Sequence, residues 1–335
     1  MSNNIEEYGD NKKGIPGWLH IVIIGGILLI LAFSFYKLWK WNQGNAKTQG
    51  VTGESFEVEV LDQVFLLAND KKEGHTYDDQ ETILFLGNDA LTYDQGETGF
   101  AGQVAAKTDA TCINCGFPSS TVALKTQNYS DDYVLDAFSF TSVVDTIVSE
   151  DYSALLDKSK NFSDYTYEDH VRKLADTDFD KVDTIVIFYD AQDYLNLRIG
   201  MNPDNDQDTI TYSGALTYGI KKLQEKYPYI RIVCCSFTMC YAYDSTGALV
   251  NGDMYDYGNG RLTTYLQFMI DVSGATGVSF IDNYYGTIDA DNSAGWLLDN
   301  VHVNAACNEY MANHFVTMIY PNGVTTAASS NASDN

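Results

Sequence analysis

The sequence predicts an α/β protein, a three-layer α/β/α sandwich built on a five-stranded parallel sheet. Short continuous apolar runs recur between residues 81 and 321, as strands buried on both faces require. Amphipathic stretches of helical length separate those runs. Regular alternation of the two places helices on both faces of one sheet.

The strands are expected at Thr82–Leu86 (TILFL), near Thr111–Cys115, at Thr184–Tyr189 (TIVIFY), at Ile230–Phe237 (IRIVCCSF) and at Gly277–Ile281 (GVSFI). Helices are expected over Gly99–Thr108, Val134–Val148, Tyr167–Ala175, Tyr212–Lys226, Leu262–Ser273 and Asn304–Ile319. Asn304 has the side chain of an N-cap. Phe56–Leu67 alternates enough for one or two strands or a membrane-proximal adaptor, and residues 69–80 are polar and loop-like.

Ahead of the sandwich, Trp18–Tyr36 is an apolar run of 19 residues interrupted only by His20. At helical rise it spans roughly 28 Å, about the hydrocarbon thickness of a bilayer. Trp18, Trp39 and Trp41 stand where an aromatic belt would. A cleaved signal peptide is the competing reading, but the run is long and no small-x-small site follows closely. The organisation expected is a tail over 1–17, a transmembrane signal anchor over 18–41, a linker and membrane-proximal segment over 42–80, the sandwich over 81–321 and a disordered tail over 322–335. Lysines flank both ends of the run, so charge does not orient it. The signal-anchor position and the acidic, Tyr- and Asn-rich body favour a single-pass protein of the cell membrane with its globular domain outside.

With 20 Lys+Arg against 46 Asp+Glu, the formal charge is 20 − 46 = −26. Phosphate backbones repel such a chain, so nucleic acid is excluded as its natural partner. Six cysteines in 335 residues are too few for a disulfide scaffold. Cys112-Ile113-Asn114-Cys115 is compatible with a redox pair, half of a zinc site or a structural disulfide; Cys112–Cys115 and Cys240–Cys307 are the pairings considered. Cys234 and Cys235 are adjacent on a strand and should face opposite layers.

In a parallel sheet the ligand crevice lies beyond the carboxyl ends of the strands. There the sequence has Gly87-Asn88-Asp89, Asn114-Cys115-Gly116-Phe117-Pro118-Ser119-Ser120, Asp190-Ala191-Gln192-Asp193 and Asp299-Asn300-Val301-His302. This order and spacing resembles the SGNH (GDSL-like) hydrolase superfamily. The Asp-x-x-His ahead of a polar cap and a terminal helix is the most specific element. FLGND and IVIFYDAQDY support it by register. The resemblance implies an α/β/α fold and ester hydrolysis by a Ser nucleophile, often on carbohydrate or cell-wall polymers. It also implies an oxyanion hole from a second-block Gly and a third-block Asn, and a His base oriented by Asp.

In that register Asp299 and His302 match the last block and Gly87 matches the first Gly. Asn88 takes the Asp position, and Asp89 the position of the nucleophilic Ser. Ser119 replaces the second-block Gly, Asp190 the third-block Gly and Gln192 the Asn, while Asp193 matches the Asp that follows. The expected site is therefore His302, Asp299 and Asp89, with Ser119, Gln192 and Asp193 around the oxyanion cleft and no metal or cofactor. A carboxylate at position 89 is a poor acyl acceptor. It sets a negative charge where an oxyanion must form, at a cost of about 4 kcal/mol at 4 Å and an effective dielectric near 20.

Three readings stay open. One is a binding or scaffolding module with impaired chemistry. The second is an altered hydrolase in which His302, or Asp89, acts as general base on water. In the third, Ser119 or Ser120 acts instead. Tyr194, Tyr241, Tyr243, Tyr255, Tyr257, Tyr284 and Tyr285 follow strand ends, and their faces suit sugar rings. A cell-surface glycan or acylated carbohydrate is the expected ligand class. The acidic loop 202–208 (NPDNDQD) reads as solvated, lacking the Gly and terminal Glu of a calcium loop.

Overall fold

The computed structural model describes residues 61–127 and 129–323. The expected tail, the membrane span, residues 42–60 of the linker and membrane-proximal segment, and the C-terminal residues from 324 lie outside the described residues. Among the described residues no helix is long and apolar enough to cross a membrane.

All five expected strands form one parallel sheet. They are β1 (Thr82–Gly87), β2 (Thr111–Asn114), β3 (Thr184–Phe188), β4 (Arg231–Cys235) and, last in the chain, β7 (Ser279–Ile281). Their order is β2-β1-β3-β4-β7, every neighbour parallel. The chain winds one way from β1 to β2 and the other way from β3 onward. The switch point therefore lies between β1 and β3, where a doubly wound sheet opens its crevice. β1 and β3 are buried along their whole length, because both faces carry helices.

On one face Phe100–Thr108 packs with Ala305–Ile319. On the other, Tyr212–Lys226 packs against both Phe140–Ser149 and Leu262–Thr276. Asn304 caps its helix as expected, its Oδ1 accepting from Cys307 N–H at 3.0 Å. The helix expected over Val134–Val148 is instead a 3-10 turn, Asp131–Phe138, followed by the helix Phe140–Ser149. Ser139 breaks it: its extended backbone and its Oγ, which accepts from Ser142 N–H, start a new helix. Ser153–Ser159 forms a further helix, and β5 (Tyr241–Tyr243) pairs with β6 (Leu249–Asn251) in a small hairpin; neither was expected from the sequence.

The segment read as membrane-proximal reaches the domain itself. Gln63 and Phe280 exchange both backbone hydrogen bonds, at 2.9 and 2.8 Å, on the outer edge of β7. Asp62 accepts from Asp282 N–H and pairs with His314. A short antiparallel contact thus covers an otherwise open sheet edge.

All six cysteines are free thiols. Neither Cys112–Cys115 nor Cys240–Cys307 forms. Three residues apart on an extended chain, Cys112 and Cys115 point to opposite sides. Cys234 and Cys235 also divide between the layers, with Ser273 beside the first and Asp62 near the second. Burial pushes the Cys112, Cys115, Cys234 and Cys307 thiols up to about 12, so they behave as small apolar side chains.

Candidate active-site cleft

The cleft is built at the switch point. Gly87 ends β1, and a Cβ there would stand 1.9 Å from the carbonyl oxygen of Phe188, so only glycine lets β1 and β3 meet. Asn88 follows, wholly buried. Its Nδ2 donates to Ser120 O at 2.9 Å and to Asp190 Oδ1 at 2.7 Å, and its Oδ1 accepts from Asp190 N–H at 2.8 Å. This one amide ties the ends of β1 and β3 and the loop after β2 into a single unit. An amide suits the task because it both donates and accepts.

Asp89 opens the short helix Asp89–Thr92. Its Oδ2 accepts from Ser119 N–H at 2.8 Å, and its Oδ1 from Thr92 Oγ1 at 3.4 Å. Ser119 has φ of +57°, a left-handed conformation that favours glycine, at the register where the SGNH pattern has Gly. The loop keeps the shape a glycine would give it. Its N–H, however, is already engaged by the Asp89 carboxylate.

His302 lies opposite. Its Nδ1 meets Asp299 Oδ2 at 2.6 Å, and Asp299 Oδ1 accepts from the N–H groups of Val301 and His302, both at 2.8 Å. Burial alone would raise the Asp299 carboxyl, but the hydrogen bonds from His302 and the backbone outweigh it and hold it below its usual range. Tyr93 stacks on the imidazole, centroids 4.0 Å apart and planes at 12°. The His302 Nε2 is shut off from solvent and has no hydrogen-bond partner. No serine hydroxyl bonds it, neither that of Ser119 nor that of Ser120.

Asp190, just past β3, completes the cleft. Its Oδ1 accepts from Asn88 and from Gln192 N–H at 3.0 Å, while its Oδ2 is buried and unpartnered. One ligand atom from each of Asp89, Asp190 and His302 can be chosen so that all lie within 4.8 Å of one another. At such a separation and an effective dielectric near 20, two carboxylates repel by about 3–4 kcal/mol. Burial first, then the Asp89 charge, pushes the Asp190 carboxyl up to about 7. Burial also raises Asp89, while Ser119 N–H and His302 partly offset it. The three residues line a cavity with about 20 Å³ of free space, together with Tyr93, Phe188 and Thr238.

The expected site is thus gathered only in part. Asp89, His302 and Asp299 converge, and Ser119 contributes its N–H. Gln192 and Asp193 are not among the residues lining the cavity. Gln192 Oε1 is taken by Asn196 Nδ2 at 2.9 Å. Asp193 is 2% exposed and accepts from Val122 N–H at 2.7 Å and Ala123 N–H at 2.9 Å, so it anchors a loop. The tyrosines expected to line the crevice do not line this cavity either. Tyr194 and Tyr284 are buried, Tyr257 packs against Tyr194 and Tyr255, and only Tyr243 (51%) and Tyr285 (36%) are exposed. Sequence reasoning gave no role to Asp190 or Tyr93. Tyr93 was findable, lying one helical turn beyond Asp89, and Asp190 is the second residue after β3.

No family model and no curated protein matches the chain. Solved structures do. One covers 73% of this chain and 99% of its own at 14% identity, with a TM-score of 0.53. A possible lipase from Chitinophaga pinensis is 13% identical over 70% of this chain and 95% of that one, TM-score 0.45. A candidate GDSL-like lipase from Bacteroides ovatus is 12% identical over 71% and 97%, TM-score 0.43. At these identities the likeness concerns the fold alone, and the chemistry has to be argued from the cleft.

Proposed function

We propose that this chain is a divergent SGNH-fold protein whose cleft has given up serine acyl transfer and serves as a binding site. The anchor expected over residues 18–41 would hold it at the cell membrane with the domain outside. The observation that carries the proposal is the Ser119 N–H donated to Asp89 Oδ2. A nucleophile position filled by a carboxylate has also consumed a donor that an oxyanion would need. Losing one such donor ordinarily costs about 10²–10³ in rate. Asp190 adds a second acid facing the imidazole, so the cleft opposes anionic intermediates. A glycan or acylated carbohydrate remains the ligand class proposed, with the exposed faces of Tyr243 and Tyr285 as candidate contacts.

A second reading, hydrolysis by His302 acting on water, is favoured by one feature. The His302–Asp299 pair is intact and its Nε2 is unengaged. p-Nitrophenyl acetate separates the two. The native protein is expected to leave the ester at its spontaneous rate and to resist a fluorophosphonate label. The variant Asp89→Ser/Asp190→Gly, which frees the Ser119 N–H and removes the second charge, should gain roughly 10²-fold or more in turnover. Native turnover that His302→Ala abolishes would instead establish the second reading.

A further inference from the structure

The cleft has more order than a disabled esterase requires. Three side chains of metal-ligating type converge, two from the ends of β1 and β3 and one from the loop ahead of the helix Ala305–Ile319, and among the described residues they form the single such cluster. Two polar atoms of these residues, Asp190 Oδ2 and His302 Nε2, are buried with nothing to bond. Buried polar atoms are ordinarily satisfied, so each calls for a partner. A small partner fits beside them, since the cavity leaves about 20 Å³ for the centre of a water-sized group, enough for one water or ion.

Each converging residue is also held from behind. Asp299 takes the far nitrogen of His302, leaving Nε2 as the lone pair that faces the cluster. Asn88 and Gln192 N–H fix Asp190 through its other oxygen, and Ser119 N–H and Thr92 fix Asp89. A carboxylate behind a ligating imidazole, and hydrogen bonds behind ligating carboxylates, are the outer-sphere pattern of metal sites. Two carboxylates also match the charge of a divalent ion. A neutral water would leave their repulsion unrelieved.

We propose that Asp89, Asp190 and His302 bind one divalent transition-metal cation, with Asp299 as a positioning residue. The proposal rests on reading the cleft as a binding site and names what it binds. One imidazole nitrogen with two carboxylate oxygens suits Zn2+ or Mn2+ better than Mg2+ or Ca2+. Three protein ligands leave a further position for water or an oxygen of a second ligand. Cations would select this cluster over the acidic loop 202–208, whose Asp206 is paired with Lys221 and whose Asp208 is bonded to Asn202.

Titration calorimetry of the full-length, chelator-stripped protein with ZnCl2 and with MnCl2 tests it. One site per chain is expected, with Zn2+ tighter than Mn2+ and both far tighter than Mg2+. Asp190→Asn and His302→Ala should each weaken Zn2+ by more than the roughly 10–100-fold that loss of an outer partner costs, and Asp299→Asn by that 10–100-fold. Asp206→Asn should leave it unchanged. Circular dichroism of Asp190→Asn, the near-isosteric variant, shows whether the fold persists. Absence of saturable binding, or binding that survives both Asp190→Asn and His302→Ala in folded protein, overturns the proposal. The ester assay is read separately. Labelling of the native protein by a fluorophosphonate would defeat the binding-site reading whatever the calorimeter shows.

Discussion

Asp190 and Asp193 lie three residues apart after the same strand, and they have opposite fates. Asp193 is buried and fully used, each oxygen taking a backbone N–H from the Val122–Ala123 loop. Asp190 has one oxygen used and one buried with no partner. A satisfied buried acid holds structure in place. An unsatisfied one marks where something else belongs. The SGNH register alone would have ranked them the other way, because Asp193 matches the pattern and Asp190 departs from it.

The largest effect that tests this contrast is on stability. Asp193→Ala should remove about 2–5 kcal/mol, since two backbone donors lose their acceptor in the interior. Urea unfolding would read it, and the melting temperature should fall by about 5–15 °C. A loss well under 1 kcal/mol would show that the loop does not depend on the carboxylate.

Asp190→Asn should act in the other direction and depend on pH. The acid titrates near its ordinary 3.8 in the unfolded chain and at about 7 in the fold. Between those values the native state keeps a proton that the unfolded chain releases. Stability associated with that proton is full below pH 4 and is lost as pH rises through 7. Asp193, pushed up to about 6 mainly by burial, adds a slope of the same sign. In metal-free protein, Asp190→Asn should therefore stabilise by about 1–3 kcal/mol at pH 8 and by little at pH 4. An equal effect at both values would locate the strain elsewhere.

Tyr93→Ala sharpens the comparison from the cleft side. Tyr93 is half exposed and contributes mainly its face to His302, so the loss should be only about 0.5–1 kcal/mol. A larger loss would mean that the ring supports the fold and does more than cover the imidazole.

Much of the fold was legible because its signals are local. TILFL and TIVIFY are apolar on both faces, and only a strand covered on both sides uses such runs. The break at Ser139 was missed because the amphipathic pattern of Val134–Val148 continues across it, and a side-chain cap interrupts the backbone without interrupting the pattern. The β5–β6 hairpin was missed because its strands have three residues each, too short for alternation to register. In the cleft, Asp299 and His302 could be paired in advance, since a three-residue spacing on one turn brings them together.

The sequence by itself determined the strands, their alternation with helices, the imidazole–carboxylate pair and the acid at position 89, because each is set by neighbours within a turn or a strand. Only the tertiary structure decided that Asp190 would face His302 with an oxygen to spare while Asp193 turned away to hold a loop. That choice is made where β1 and β3 meet at Gly87 and Asn88 knots their ends, and the direction a side chain takes past a strand end is fixed by the contacts it finds there.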